Sequence, residues 1–227
     1  MGRLILTLAL VTGLATGCES GSQQRTDHSG LDPADRAVRL ETEGCGFASG
    51  RTGSGVAVGD GLVLTVAHLV VEAKSVDVYL SGEAYEDVPV LSADRRMDLA
   101  VLQIPRGDVS PVDMSAVEKG ARGLVVGGSA SGTVSFEVKS VVELTIEEVF
   151  GSARHSRRGY ELAAPTARGD SGAGAYDEHG GLIGVVFATG EDGAITWVTA
   201  SSEIEEFLTG IDPSDTYPLC SERPDQG

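Results

Sequence analysis

The sequence predicts an all-β protein: two packed antiparallel six-stranded β-barrels, followed by one C-terminal helix. Three observations support this fold class. Short runs rich in β-branched and apolar residues recur along the chain, with turn residues between them. Glycine is abundant, at 31 of 227 residues, which suits many tight turns. A capping box and an apolar helical face appear only near the end of the chain. The length suffices for one two-lobed core.

The first predicted lobe spans about residues 44–105. A Gly59-Asp60-Gly61 turn between two β-rich runs is typical of a hairpin. In residues 75–80, the apolar Val76, Val78 and Leu80 alternate with other residues, as on a strand with one buried face. The predicted strands of this lobe are 54–58, 62–66, 75–80, 88–91 and 99–104, with a short helical turn at 67–73.

The second predicted lobe spans about residues 120–210 and follows a connection that carries proline and aspartate. Its predicted strands are 124–126, 134–142, 144–149, 160–163, 174–176, 182–188 and 194–199. A basic cluster at 154–158 is interpreted as a solvated loop; the alternative is a surface that recruits an acidic partner. Ser202 and Glu205 form a capping box for the terminal helix, whose apolar face carries Ile204, Phe207 and Leu208.

The N-terminal residues have the pattern of an export signal. Arg3 precedes an apolar stretch that is too short to span a membrane, and residues 1–17 are the predicted signal peptide. Residues 14–18, Leu-Ala-Thr-Gly-Cys, resemble a bacterial lipobox, in which Cys18 receives the lipid. The alternative is ordinary secretion with cleavage nearby. Residues 18–43 are the predicted anchor and tether, 44–220 the folded domain and 221–227 a tail. Both alternatives place the mature chain in the cell envelope or outside the cell.

The net charge and the cysteines limit which binding partners and cross-links are expected. The net charge of −17 repels phosphates, so nucleic acid is not an expected partner, and the membrane is expected only through the lipid anchor. If Cys18 is lipidated or removed, Cys45 and Cys220 remain, and an exported chain can oxidise them to a disulfide. The alternative is two unpaired thiols. No cysteine and histidine spacing predicts a metal site, and no cofactor is expected.

Three distant residues have the types and the chain order of a nucleophilic triad. Ser171 lies in the run Gly-Asp-Ser-Gly at 169–172, His68 ends an apolar run, and Asp98 opens another. A serine hydroxyl is a poor nucleophile until a histidine takes its proton, and a buried carboxylate must orient that histidine. The Gly-Asp-Ser-Gly run alone would equally suit a polar surface turn, and a lone histidine a structural role.

Neighbouring residues complete the predicted catalytic site. Asp98 is preferred over Asp94 because it adjoins the apolar strand, whereas Asp94 lies beside two arginines. Asp170 is expected to hold the serine loop through a buried ion pair. The glycines beside Ser171 permit a turn that aims the backbone N–H groups of Gly169 and Ser171 at one point, as an oxyanion hole requires.

The combined motifs resemble the trypsin-like (chymotrypsin-fold) serine peptidases, over about residues 44–210. They are Gly-Ser-Gly-Val-Ala-Val at 53–58, Leu-Thr-Val-Ala-His at 64–68, Asp-Leu-Ala-Val-Leu at 98–102 and Gly-Asp-Ser-Gly at 169–172. The compact bacterial branch is the most similar, with HtrA-type protease domains and actinobacterial acid-resistance serine proteases. The resemblance implies a chymotrypsin-like fold, and it fits a pairing of the two terminal cysteines. One departure is Ala173-Gly174, where the family usually has Gly-Pro.

The resemblance also implies an exported serine endopeptidase that acts on protein or peptide substrates through an acyl-enzyme. It places the specificity pocket among Pro165, Arg168, Ala188, Thr189 and Gly190. Because no acidic residue stands six positions before the serine, a small or apolar residue is expected before the scissile bond. Two alternatives stay open: a catalytically inactive binding lipoprotein on the same fold, and an esterase with the same triad. The sequence does not determine the natural substrate or the oligomeric state.

Overall fold

Two antiparallel sheets, one from each half of the chain, build the molecule. The computed structural model describes residues 32–46, 48–129, 131–149, 151–191 and 193–220. The predicted signal peptide, the lipidation site Cys18 and the tail 221–227 lie outside the described residues. No helix in the described ranges is long and apolar enough to cross a membrane. A 3₁₀ helix at Pro33–Arg36 opens the described chain.

The first lobe is a seven-stranded sheet in the order β5-β4-β1-β2-β3-β7-β6. Its strands are β1 (Ala37–Gly44), β2 (Arg51–Gly59), β3 (Leu62–Thr65), β4 (Ala73–Leu80), β5 (Glu83–Tyr85), β6 (Val90–Asp94) and β7 (Leu99–Gln103). A short helix, α1 (Ala67–Val70), follows β3. The expected barrel of six strands is therefore, in the first lobe, a curled sheet of seven.

Strand β1 lies within the stretch for which the sequence predicts a tether. Val38, Leu40 and Thr42 are buried and alternate with less buried residues. The strand pairs with β2 on one side and with β4 on the other, so it is central to the sheet. Folded structure therefore begins before residue 44, because this polar-looking segment gains two ladders of backbone hydrogen bonds and buries one face.

The second lobe is a closed six-stranded barrel in the order β10-β13-β12-β11-β8-β9. Its strands are β8 (Arg122–Val126), β9 (Thr133–Glu147), β10 (Arg154–Ala163), β11 (Gly174–Asp177), β12 (Leu182–Thr189) and β13 (Ile195–Ala200), and the helix α2 (Ser201–Thr209) follows. Closure leaves none of the six strands as a free edge.

Three details of this lobe differ from the sequence-based expectation. The two strands expected between 134 and 149 are one continuous β9, which forms a long hairpin with β10. The basic cluster 154–158 belongs to β10, not to a loop, because it pairs with β9 throughout. Helix α2 has Ala200 at its N-cap with no side-chain cap, so the predicted capping box does not form.

An apolar cluster joins the two lobes. It combines Val56 and Leu64 of the first sheet with Val126 and Val185 of the barrel, and with Ile204 of α2. A disulfide between Cys45 and Cys220, whose Cα atoms are 6.2 Å apart, ties the end of the described chain to the first lobe. The predicted cysteine pairing is present, and the apolar interface fixes the two lobes against each other.

Candidate active site

His68 is placed by the end of a buried strand. Residues 63–67 are buried, and α1 begins at Ala67, so His68 lies in the first turn of a short helix. Its imidazole is 31% exposed. Arg51 Nη1 donates a 2.6 Å hydrogen bond to the His68 carbonyl and steadies that turn. The strand thus delivers a partly accessible imidazole to the surface between the lobes.

Asp98 binds His68 at two points. Its Oδ2 lies 2.9 Å from His68 Nδ1, and its Oδ1 accepts a 2.9 Å hydrogen bond from the His68 backbone N–H. The Asp98 side chain is 6% exposed, and the residue has φ +52° just before β7. Asp94 instead accepts hydrogen bonds from the backbone N–H groups of Arg96 and Met97, as a turn residue does. In the structure, His68 is therefore paired with Asp98, the aspartate that the sequence favoured.

The turn that carries Ser171 docks on the first lobe. Ser54 of β2 donates its N–H to the Ser171 carbonyl at 2.8 Å and its hydroxyl to the Gly169 carbonyl, also at 2.8 Å. A Cβ on Gly172 would lie 1.9 Å from the Ser54 carbonyl oxygen and 2.5 Å from Thr65 Oγ1. Thr65 ends the strand that leads to His68, so the contact brings the serine turn beside that strand.

The Ser171 hydroxyl and the imidazole are not joined by a hydrogen bond among the described residues. Ser171 is half-buried, and the second ring nitrogen of His68, Nε2, has no hydrogen-bond partner within the same ranges. Such a bond is often long or poorly aligned until a substrate occupies the site. The hydrogen bond between His68 and Asp98 is therefore formed in this structure, whereas the one between Ser171 and His68 is not.

Asp170 holds the serine turn through backbone groups. It is 1% exposed, and its two carboxylate oxygens accept hydrogen bonds from Ala167 N–H at 2.8 Å and Ser131 N–H at 3.1 Å. Within the described ranges it forms no salt bridge, so the expected buried ion pair is replaced by amide donors. A carboxylate suits this place because it satisfies two backbone N–H groups at once.

The two amides of the predicted oxyanion hole belong to the turn that carries Ser171. Gly169 has φ +101° and Gly172 φ +88°, so glycines occupy both left-handed positions of the turn. Within the part of the chain that the structure describes, neither the Gly169 N–H nor the Ser171 N–H donates a hydrogen bond. Both donors are therefore available to an incoming oxygen atom.

The predicted pocket residues divide into two groups. Pro165 and Arg168 are exposed, whereas Ala188, Thr189 and Gly190 are half-buried at the end of β12. Between Pro165 and Arg168 lies the buried Thr166, whose hydroxyl is 2.7 Å from that of Thr189 and 2.6 Å from that of Thr196.

Sequence reasoning missed Thr166 and Thr196. The only available signal was a threonine inside each of two otherwise apolar stretches. Their hydroxyls, with that of Thr189, form a neutral polar cluster behind the predicted pocket.

A cavity of about 1020 Å³ lies away from the predicted site, between the 3₁₀ helix and the outer face of β8 and β11, and none of the predicted site residues lines it. Among the described residues no cluster of three or more histidine, cysteine or acidic side chains could hold a metal ion.

The chain is similar to two proteins that are known as serine proteases. The serine protease Rv3671c of Mycobacterium tuberculosis H37Rv and the serine protease MT3772 of M. tuberculosis CDC 1551 are each 28% identical to it over 166 residues, which are 70% of this chain. The chain matches 42% of the length of each relative, so it spans less than half of these proteins.

Solved structures share the fold. The active form of the Rv3671c protease superposes with a TM-score of 0.75 at 24% identity, covering 82% of this chain and 84% of that one. The HtrA-type protease AlgW with a tripeptide gives 0.67 at 20% identity, covering 78% and 60%. These similarities confirm the predicted chymotrypsin-like architecture. The family model described as a trypsin-like peptidase domain matches residues 53–185, more than half of the chain. This protein therefore belongs to the trypsin-like peptidase domain family.

Proposed function

We propose that this protein is an exported serine endopeptidase, with Ser171, His68 and Asp98 as its catalytic triad. The observation that carries the proposal is the two-point binding of His68 by a buried Asp98. The N–H groups of Gly169 and Ser171, in the serine turn, donate to no described residue. A carboxylate that accepts from Nδ1 leaves Nε2 as the proton acceptor, which is the tautomer that a serine nucleophile needs.

The chemistry follows from these positions. Ser171 Oγ attacks the carbonyl carbon of the scissile peptide bond, and His68 Nε2 takes the hydroxyl proton. The N–H groups of Gly169 and Ser171 stabilise the oxyanion of the tetrahedral intermediate. Collapse of the intermediate breaks the C–N bond, and the imidazolium gives its proton to the leaving amine. Water, activated by the same imidazole, then hydrolyses the acyl-enzyme and regenerates the serine.

The expected substrate is a protein or peptide with a small or apolar residue before the scissile bond. AlgW, which shares the fold, is seen with a tripeptide, and this supports a peptide substrate. The half-buried Ala188, Thr189 and Gly190 and the neutral hydroxyl of Thr166 support a pocket wall without a carboxylate. A substrate with lysine or arginine at that position would find no carboxylate among these groups.

Export, with a lipid on Cys18, completes the proposal. The disulfide between Cys45 and Cys220 supports an oxidising compartment. Mass spectrometry of the membrane fraction would identify a diacylglyceryl group on Cys18. A soluble mature chain cleaved elsewhere would restrict the proposal to a secreted enzyme.

Ser171→Ala tests the nucleophile. Removal of the hydroxyl should lower kcat/KM for a peptide substrate by about 10⁴ or more, because the remaining site only binds and polarises the carbonyl. A fluorophosphonate probe should label the wild-type protein and not the variant, as read by intact mass. Ser202→Ala is the control: Ser202 is an exposed serine of α2, and its loss should change neither readout.

Three outcomes would contradict the proposal. A folded wild-type protein that resists the probe and binds peptides without cleaving them would be a binding protein on this fold. Cleavage of esters with no measurable cleavage of peptides would make it an esterase. Near wild-type turnover in Ser171→Ala would exclude Ser171 as the nucleophile.

A further inference from the structure

A buried cation lies in the second lobe without a hydrogen-bonded partner. Arg157 on β10 is 3% exposed, although Ser156 and Arg158 on either side of it are exposed. All three of its guanidinium nitrogens are buried, and none has a hydrogen-bond partner among the described residues. Burial lowers the pKa of Arg157 to about 10, so it stays charged at neutral pH. A buried charge without a hydrogen-bonded partner disfavours folding, so a functional role would account for its presence.

Its guanidinium stacks on the residue that precedes the candidate pocket residues of β12. The guanidinium carbon lies 4.2 Å from the centroid of the Phe187 ring, which is a cation–π contact. Phe187 directly precedes Ala188 and Thr189 on β12. The planar group therefore supports, from behind, the strand segment that we assign to the pocket.

The proposed catalytic carboxylate is one of the negative charges that act on Arg157. Asp98, then Glu203 and Asp94, are the negative charges that favour its charged form. Glu203 is occupied from another side, because its Oε1 accepts a 3.0 Å hydrogen bond from the Arg158 N–H. Arg157 thus places a positive charge from the second lobe near the carboxylate that holds His68 in the first lobe.

The hairpin that carries Arg157 is fastened to the turn that carries Asp98. Arg95 Nε donates to the Val149 carbonyl at 2.8 Å, and Val149 N–H donates to the Arg95 carbonyl at 3.0 Å. Arg95 Nε also lies 3.7 Å from Glu148 Oε1. Because the tip of the β9–β10 hairpin is bound to the 94–98 turn, Arg157 and Asp98 are held in a fixed relation.

We propose that Arg157 is a positioning residue for the peptidase site, bracing Phe187 and biasing the His68–Asp98 pair towards its unprotonated-imidazole state. This inference rests on the proposed function. A nearby cation disfavours the imidazolium that forms when His68 is protonated, so the charge keeps the histidine ready to act as a base at lower pH. Among the described residues, the charged groups near these side chains include Arg51, which binds the His68 carbonyl, its partner Glu72, and Glu203 and Asp94, which act on Arg157.

Arg157→Met separates this role from a structural one. Methionine keeps an unbranched apolar side chain and removes the charge, so the melting temperature should stay the same or rise. The acidic limb of the pH profile should move up by about 0.5–1 pH unit, so kcat/KM at pH 6 should fall by up to about three- to tenfold. Arg157→Lys, which keeps the charge, should retain the wild-type limb. Arg158→Met, on the exposed neighbour, is the matched control and should change nothing.

A second readout does not require turnover. In the Ser171→Ala background, ¹⁵N NMR of the imidazole should show its proton uptake at higher pH once Arg157 is replaced by methionine. An unchanged titration and kinetics within twofold of wild type would overturn the inference, as would equal losses in the methionine and lysine variants together with a lower melting temperature. A wild-type protein that resists the fluorophosphonate probe but shows the NMR shift would overturn only the proposed peptidase activity.

Discussion

Asp98 shows how much a single residue of this site depends on its backbone. Its φ of +52° is in the left-handed region, which residues other than glycine, asparagine and aspartate rarely adopt. That conformation accompanies a carboxylate that accepts from both the N–H and the Nδ1 of His68. Strained backbone tends to collect at functional sites, where the surrounding structure imposes it. The sequence identified the aspartate from the apolar run beside it, but it gave no sign of this conformation.

Gly172→Ala should disable the serine turn. The new Cβ would lie 1.9 Å from the Ser54 carbonyl oxygen, at a φ of +88°. Left-handed strain and overpacking together should cost about 3 kcal/mol of folding free energy. Because the turn must move away from β2, labelling of Ser171 by a fluorophosphonate should also be lost. Urea unfolding and probe labelling of the purified variant measure the two effects.

Gly180→Ala is the matched control for the serine-turn variant. Gly180 has a nearly equal φ of +84°, but a Cβ there meets no atom within 4 Å. Only the backbone strain remains, so the expected cost is about 1 kcal/mol, with labelling unchanged. Equal losses of stability in the two variants would show that the close contact with Ser54 contributes nothing.

At the scale of elements, β1 and the β9–β10 hairpin are where pattern reading and structure diverge most. Both were expected to be irregular or broken, because their sequences are rich in polar and charged residues. Half-buried strands tolerate such residues on their outer face, and β1 alternates in this way. Arg157 of β10 departs from this pattern, because it is charged and yet buried. No local pattern separates it from its exposed neighbours.

Removal of β1 should prevent the first lobe from folding. A chain beginning at residue 45 lacks the strand between β2 and β4, so both neighbours lose a ladder and the core loses Val38 and Leu40. A chain beginning at residue 32 keeps them. Circular dichroism and thermal unfolding should show a cooperative transition for the longer chain and none for the shorter one. A shorter chain that melts cooperatively at the same temperature would contradict the assignment of β1 to the core.

At the scale of the whole molecule, the site depends on how the two lobes meet. His68 and Asp98 belong to the first lobe, and Ser171 belongs to the second, where its turn is bound by Ser54. The interlobe apolar cluster and the Cys45–Cys220 disulfide both restrict the relative motion of the lobes. Stability of the complete chain and integrity of the site should therefore be coupled.

Cys45→Ser with Cys220→Ser should measure the contribution of the disulfide. The bridge joins residues that are 175 positions apart, and chain-entropy reasoning gives about 5 kcal/mol of stabilisation for a loop of that length. Urea unfolding of the double variant should show this loss, and a reducing agent should lower the wild type to the same value. A reducing agent that still destabilises the double variant would show that it acts elsewhere. No loss in the double variant would mean that the bridge does not constrain the unfolded chain.

The sequence by itself determined the all-β class, the positions of most strands, the pairing of Asp98 with His68 and which two cysteines can form a disulfide. These features are encoded locally, by alternation, turn residues and short motifs, or by counting. Tertiary structure alone decided that β1 is central, that Thr166 and Thr196 lie behind the predicted pocket, that backbone amides hold Asp170 and that Arg157 is buried against Phe187. Each of these depends on which surface a distant segment covers, and no window of neighbouring residues contains that information.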